Sequence, residues 1–137
     1  MSVYLAEFIG TAILLYFGNA INATTTLNHS YGKGSGWIVT TIGWGLAVTL
    51  GVFAVGGISG GTLNTAVTFT LAIDGEFEWG LVPGYIFAQV LGAMMGATLT
   101  WLQYLPHWGK TEDSGAKLGV FCTSGAIPAK GSNLVSE

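Results

Sequence analysis

The sequence predicts an all-α membrane protein built from three transmembrane helices and one re-entrant half-helix. Three observations carry that reading. Only 8% of the 137 residues are charged while 50% are hydrophobic, against roughly a quarter charged in soluble domains, too few to cover a solvated surface. Three apolar segments, at 3–21, 37–57 and 81–105, approach or reach the roughly 20 residues that a bilayer crossing needs. A fourth apolar segment, behind a glycine loop, stops at about half that length. The 22 glycines alone would suit a disordered chain, but five Trp, seven Phe and five Tyr do not. Glycines and aromatics together suit closely packed membrane helices with interfacial anchors.

The first segment, 3–21, has no cationic stretch before it and contains Glu7, so it reads as a span and not as a cleavable signal. A polar stretch with Gly and Ser follows. The second segment, 37–57, carries Gly43, Ala47 and Gly51 on one helical face; the third, 81–105, carries Ala88, Gly92 and Gly96 on one face. Such faces allow helix backbones to approach closely in lipid. Pro106, His107 and Trp108 close the third segment, and a mostly polar loop is expected over 106–133, with the start of a fourth helix at 134–137.

The chemistry-bearing part lies between the second and third spans, at 58–73. Ile58-Ser59-Gly60-Gly61-Thr62-Leu63-Asn64 is irregular by composition, Thr65 to Ile73 reads as a short helix, and Asp74-Gly75-Glu76 stops it. Irregular backbone survives at membrane depth only when buried in protein or lining a water-filled cavity. Asn64 stands at the N-cap, where its oxygen satisfies an orphan N–H of the half-helix and its NH₂ stays free as a donor. The helix N-terminus adds positive partial charge at the same point. The pair favours neutral, hydrogen-bonding solutes over cations and protons. Capping by itself is better explained by an ordinary helix start after a glycine loop. The place between two membrane spans reverses that preference.

Other chemistry is thinly represented. Four lysines, no arginine and no basic cluster exclude nucleic acid as a partner, and the single Cys122 excludes an internal disulfide. His29 and His107 lack metal-ligand spacing partners and read as solvated loop residues. No nucleophile–base pair, phosphate loop or metal cluster is visible, so neither an enzyme nor a cofactor is expected. Asn22-Ala23-Thr24 and Asn28-His29-Ser30 match the glycosylation sequon, a triplet common by chance.

Ala6-Glu7-Phe8-Ile9-Gly10-Thr11, then Ser59-Gly60-Gly61-Thr62-Leu63-Asn64-Thr65-Ala66-Val67-Thr68, then Gln89-Val90-Leu91-Gly92-Ala93 together resemble the major intrinsic proteins, the aquaporins and glycerol facilitators. The resemblance covers nearly the whole chain, in order, and corresponds to the first of that family's two inverted repeats. It implies that Asn64 is the first pore asparagine and that the carbonyls of Gly60, Gly61 and Thr62 belong to an acceptor ladder along the channel. It implies that Trp44 is the aromatic filter residue of the glycerol-conducting type, whereas the plain reading of Trp44 is core or lipid-facing packing. Glu7, an intramembrane carboxylate that needs partners, becomes a brace for the loop, with Gln89 in the same network.

Thr65 stands where the family motif has proline, and Thr62 where histidine is frequent. The second half-helix with its asparagine and the filter arginine lie outside this sequence. The expected function is a passive channel element for glycerol and other small neutral solutes, with water. The alternative is a non-conducting truncated fragment that needs a second half. A small dual-topology transporter would require a coupling carboxylate, for which only Glu7 is available. The family implies tetramers, or here a complementary second repeat, and a multi-pass location, most simply the plasma membrane. It places Lys33, Lys110, Lys117 and Lys130 outside, opposite to the positive-inside rule.

Overall fold

The structure is a computed structural model describing residues 1–127 and 129–136. Every regular element among them is helical: α1 (Val3–Thr26), α2 (Trp37–Ser59), α3 (Thr65–Ile73), α4 (Val82–Gln103), α5 (Leu105–Trp108), α6 (Ser114–Leu118) and α7 (Lys130–Ser136). α1, α2 and α4 are each long and apolar enough to cross a membrane. α1 is the central member, packed on α2 and on α4, while α3 lies against α4.

α1 starts where Ser2 Oγ accepts the Leu5 N–H at 3.2 Å. α2 ends at Gly60, whose φ of 85° only glycine adopts freely. α4 begins with Pro83 in its first turn, where a missing N–H costs nothing. The direction of each helix follows from its neighbours. Ser59, at the end of α2, bonds Glu7 near the start of α1, and Tyr85, near the start of α4, donates to the Ser59 carbonyl. α2 therefore finishes at the level where α4 begins, and the chain between them enters and returns on one side. That makes α3 re-entrant.

The small-residue faces bring backbones into contact. A Cβ on Gly51 would sit 2.9 Å from the Gly10 carbonyl oxygen, and one on Gly43 would meet Ile21 at 2.6 Å. On the other side of α1, a Cβ on Gly96 would lie 2.6 Å from the Ala12 carbonyl oxygen, and one on Gly92 would strike the Phe8 carbonyl. Thr100 Oγ1 reinforces this seam by donating to the Tyr16 carbonyl at 3.0 Å. Large apolar side chains such as Ile38, Ile42, Leu46 and Phe53 on α2 and Phe87 and Met94 on α4 face outward. In water this would be an aggregation surface; against lipid it is the ordinary exterior.

The polar segments are more ordered than composition suggests. α1 continues to Thr26, beyond the apolar stretch ending at 21, because its polar residues find partners there. Thr25 Oγ1 donates to the Ile21 carbonyl, Thr24 meets the Tyr104 hydroxyl, and Asn22 Nδ2 donates to the Val120 carbonyl at 3.1 Å. Within 106–133, α5, α6 and their connections fold back onto that end of α1. Ala23, Leu27 and Val120 form a fully buried cluster with Tyr104 and Trp108 packed on it. His107 departs from the solvated loop residue expected of it: it is half-buried, with Nδ1 2.9 Å from the Asn28 carbonyl oxygen. The sequon asparagines are committed as well, Asn22 as above and Asn28 Nδ2 to the Lys110 carbonyl. Over the expected fourth-helix start, helix α7 runs to Ser136, and residue 137 lies outside the described residues.

Replacing Gly96 by Ala should separate α1 from α4 and destabilise the fold by about 1–3 kcal/mol, read as a lower thermal midpoint by circular dichroism in detergent. Gly45→Ala, where an added Cβ meets nothing within 4 Å, should leave the midpoint undiminished.

Candidate functional site

The residues between α2 and α3 are organised by one side chain. Glu7, on the second turn of α1, is completely buried. Its Oε1 accepts from Ser59 Oγ at 2.6 Å and from the Thr62 N–H at 3.2 Å. Its Oε2 accepts from Thr62 Oγ1 at 2.9 Å, the Leu63 N–H at 2.8 Å and Gln89 Nε2 at 2.8 Å. A buried carboxylate is tolerated when donors fill its lone pairs. Glu7 has five such donors, from α2, the loop and α4.

Gln89 extends the network. Its Nε2 also lies 3.0 Å from Thr62 Oγ1 and 2.9 Å from Thr68 Oγ1, so the amide joins the loop to the first turn of α3. The Gln89 carbonyl oxygen has no partner among the described residues. Reversing the amide would set that oxygen against Glu7, which fixes the orientation. Thr68 Oγ1 reaches both Thr62 Oγ1 and the Asn64 carbonyl.

The backbone of the loop is thereby sorted. The N–H of Gly60 goes to the Gly56 carbonyl, that of Gly61 to Ser59 Oγ, and those of Thr62 and Leu63 to Glu7. All four donors are used on the protein side. The carbonyls of Gly60, Gly61 and Thr62 receive no hydrogen bond among the described residues. Gly60 and Gly61 have φ of 85° and 65° and Leu63 has φ of 49°. Positive φ at Leu63 is unfavourable by about 1–2 kcal/mol. Burial of its side chain beside Ala6 and Val55 offsets that cost. Gly10 and Gly51 leave room for it: a Cβ on either would come within 2.8 Å of Leu63.

Asn64 caps α3, its Oδ1 accepting the Ala66 N–H at 2.8 Å. Its Nδ2 has no partner among the described residues, and the residue is exposed. α3 begins at Thr65, so the cap suffices where the family motif uses proline. The Thr62 hydroxyl turns inward to Glu7, and no bulky side chain stands at that position.

Trp44 is not part of this cluster. It lies 15 residues before Ser59 on α2, roughly 22 Å along the helix axis. Its indole packs on Gly18, and its Nε1 donates to Asn22 Oδ1 at 2.9 Å. Trp44 borders an open cleft of about 880 Å³ lined also by Thr41, Trp37, Asn22, Cys122 and Thr123. Sequence reasoning did not single out Ser59, Leu63, Thr68, Tyr85 or Asn22 as site residues. Leu63 and Tyr85 carry no sequence signal for their roles. Ser59, Thr68 and Asn22 could have been found as polar residues at membrane depth or at a span's end. No group of three His, Cys, Asp or Glu side chains able to hold a metal exists among the described residues.

Comparison with known proteins gives a consistent neighbourhood. The major intrinsic protein family model matches residues 1–130. A probable glycerol uptake facilitator of Thermotoga maritima is 56% identical over the whole chain, which spans 58% of that relative. The glycerol uptake facilitator of Bacillus subtilis is 49% identical, again over the whole chain and 50% of the relative. The X-ray structure of the aquaglyceroporin from Plasmodium falciparum superposes with a TM-score of 0.69 at 32% identity, covering 78% of this chain and 43% of that one. The chain thus spans about half the length of the relatives it matches.

Glu7→Gln would present an NH₂ group to donors that now meet a carboxylate oxygen. Amide hydrogen exchange at Thr62 and Leu63 should accelerate by about tenfold or more, the equivalent of losing one charge-assisted hydrogen bond. Unchanged protection at both amides would show that Glu7 does not hold the loop.

Proposed function

The chain belongs to the major intrinsic protein family, and on that premise we propose that it forms one wall of a passive channel for glycerol and other small neutral solutes, water included. The observation that carries the reading is the sorting of the 60–64 backbone. Every N–H from Gly60 to Leu63 is consumed on the protein side, while the carbonyls of Gly60, Gly61 and Thr62 and the Asn64 NH₂ have no described partner. A row of acceptors ending in a donor suits a molecule whose hydroxyls both donate and accept. Water and glycerol do so without charge. A cation approaching Asn64 would meet the positive end of α3 and its amide donors, which disfavours it.

Trp44 supplies the apolar counterpart in this reading. Its ring offers the carbon skeleton of a polyol a wall, and the loop carbonyls take the hydroxyls. Glu7 and Gln89 act structurally, as a brace that keeps the loop N–H groups turned away from the solute. The inward Thr62 hydroxyl leaves the loop end of the path wider than a histidine there would. The protein is integral to the membrane; the plasma membrane is its proposed location, and a tetramer its proposed assembly. Transport of this kind involves no bond-making, and no residue is assigned a catalytic role.

A second reading is favoured by one fact, that the chain spans 50–58% of its facilitator relatives. Here the wall conducts only when a complementary second repeat faces Asn64. Stopped-flow glycerol and water permeability of proteoliposomes containing the chain separates the two. Flux above empty vesicles supports the channel formed by the chain. Its absence from an inserted, helical chain favours the second reading. Where flux is present, Asn64→Asp should reduce it by at least about tenfold, because a charge replaces two donors at membrane depth. Helix content should persist, since Asp caps as well as Asn. Flux insensitive to the substitution would remove Asn64 from the path.

A further inference from the structure

Asn22 occupies an uncommon position for a helix amide. Both of its polar atoms are engaged, and each reaches a different part of the molecule. Oδ1 accepts the Trp44 indole N–H at 2.9 Å. Nδ2 donates to the Val120 carbonyl at 3.1 Å. Val120 is itself fully buried, clustered with Ala23 and Leu27 under Tyr104 and Trp108. The carbonyl that Asn22 grips is therefore fixed by a packed core and not by a loose loop.

Gly18 lies one helical turn before Asn22 on α1, on the same face. A Cβ at Gly18 would overlap the six-membered ring of Trp44, coming within 2.6 Å of Cε3 and Cη2. The ring rests on bare backbone at one end and is tied through its N–H at the other. Between them, Gly18 and Asn22 fix where the ring lies and how it is turned. The same contact removes the one hydrogen-bond donor an indole has. The surface that Trp44 gives the cleft is consequently apolar.

We propose that Asn22 is a positioning residue that determines solute specificity by holding the Trp44 indole and occupying its N–H, and that it links this ring to the extramembrane segment around Val120. The proposal rests on the reading of Trp44 as a wall of the solute path. With Asn22 absent, the N–H becomes a donor within an otherwise apolar wall and the ring is free to turn. The preference for a carbon skeleton over water falls.

Two measurements test this on the same chain. In ¹⁵N-labelled protein in detergent, the Trp44 indole N–H resonance is assigned by its disappearance in Trp44→Phe. Asn22→Leu should move that resonance upfield and accelerate its exchange with solvent by about tenfold, as expected for loss of one hydrogen bond in a partly buried site. Asn22→Asp keeps the acceptor for the indole and loses the donor to Val120, so the resonance should stay downfield. A resonance unmoved by Asn22→Leu in a folded chain overturns the tether.

In proteoliposomes, the glycerol-to-water permeability ratio should fall about fivefold in Asn22→Leu, and by much less when the same change is made in the Trp44→Phe background, which has no N–H to release. A ratio that does not change, or that changes equally in both backgrounds, overturns the specificity role. If the unsubstituted chain shows no flux, the channel formed by the chain fails and the specificity role fails with it. The indole resonance still decides whether Asn22 holds Trp44.

Discussion

The buried carboxylate of Glu7 is the constraint on which the rest of this structure depends. An acceptor-only group at the core of an apolar bundle must collect donors or be excluded. It collects them from three directions: Ser59 at the end of α2, the Thr62 and Leu63 backbone with the Thr62 hydroxyl, and Gln89 on α4. Because so many donors must converge there, the loop has little freedom. The consequence for function is indirect but strong. With the Thr62 and Leu63 N–H groups turned to Glu7 and the Gly61 N–H to Ser59, the carbonyls of Gly60, Gly61 and Thr62 are left on the other side without a hydrogen bond among the described residues. One polar atom pair on α1 thereby sets the polarity of a surface it does not touch.

That arrangement requires α1, α2 and α4 to approach one another more closely than ordinary side chains allow. Gly10 and Gly51 make the seam between α1 and α2, Gly92 and Gly96 the seam between α1 and α4; a Cβ on Gly51, Gly92 or Gly96 would strike a backbone carbonyl, and one on Gly10 the Leu63 and Val55 side chains. In lipid no hydrophobic drive pushes helices together, so dense contact and hydrogen bonds must do so. The Leu63 side chain uses the space that Gly10 and Gly51 create. Its burial offsets an unfavourable backbone conformation, and that conformation presents the Leu63 N–H to Glu7. Small residues, a strained leucine and a buried glutamate are thus parts of one solution.

At the opposite end of α1 the same logic operates with weaker groups. Asn22, Asn28, Tyr104 and Thr111 tie the segments after α1 and α4 together, and the Ala23, Leu27 and Val120 cluster gives them a small core. Asn28 bonding Lys110 puts the loops carrying Lys33 and Lys110 at one end of the bundle, whichever side of the membrane that end faces. Trp44 connects to this end and not to the Glu7 network. The apolar and polar walls of the proposed path are held by separate structures.

Much of this was legible in the residues. Segment length and hydropathy determined the three spanning helices, because a bilayer of fixed thickness demands a run of fixed length. A nine-residue α3 behind a glycine loop was recognisable as re-entrant because it cannot span, and Asn64 as its cap because orphan N–H groups need an acceptor. Glu7 was recognisable as needing partners because an isolated charge in lipid is untenable. The family resemblance pointed to the loop backbone and to Gln89 as its partners, and Gln89 does reach it. The remaining donors were not legible: Ser59 and Leu63 stand 52 and 56 residues away, and nothing local distinguishes them from other polar or apolar residues. Nor did the sequence show that the stretch after the third span folds onto α1, since its composition reads as solvated loop; the buried sites of Val120 and Thr111 and the contacts of His107 and Trp108 reveal otherwise. Local chemistry determined the elements and their ends. Only the tertiary structure decided that Ser59 and the Thr62 and Leu63 donors in particular meet Glu7 and which amide holds Trp44, because those choices depend on three helices arriving at one point together.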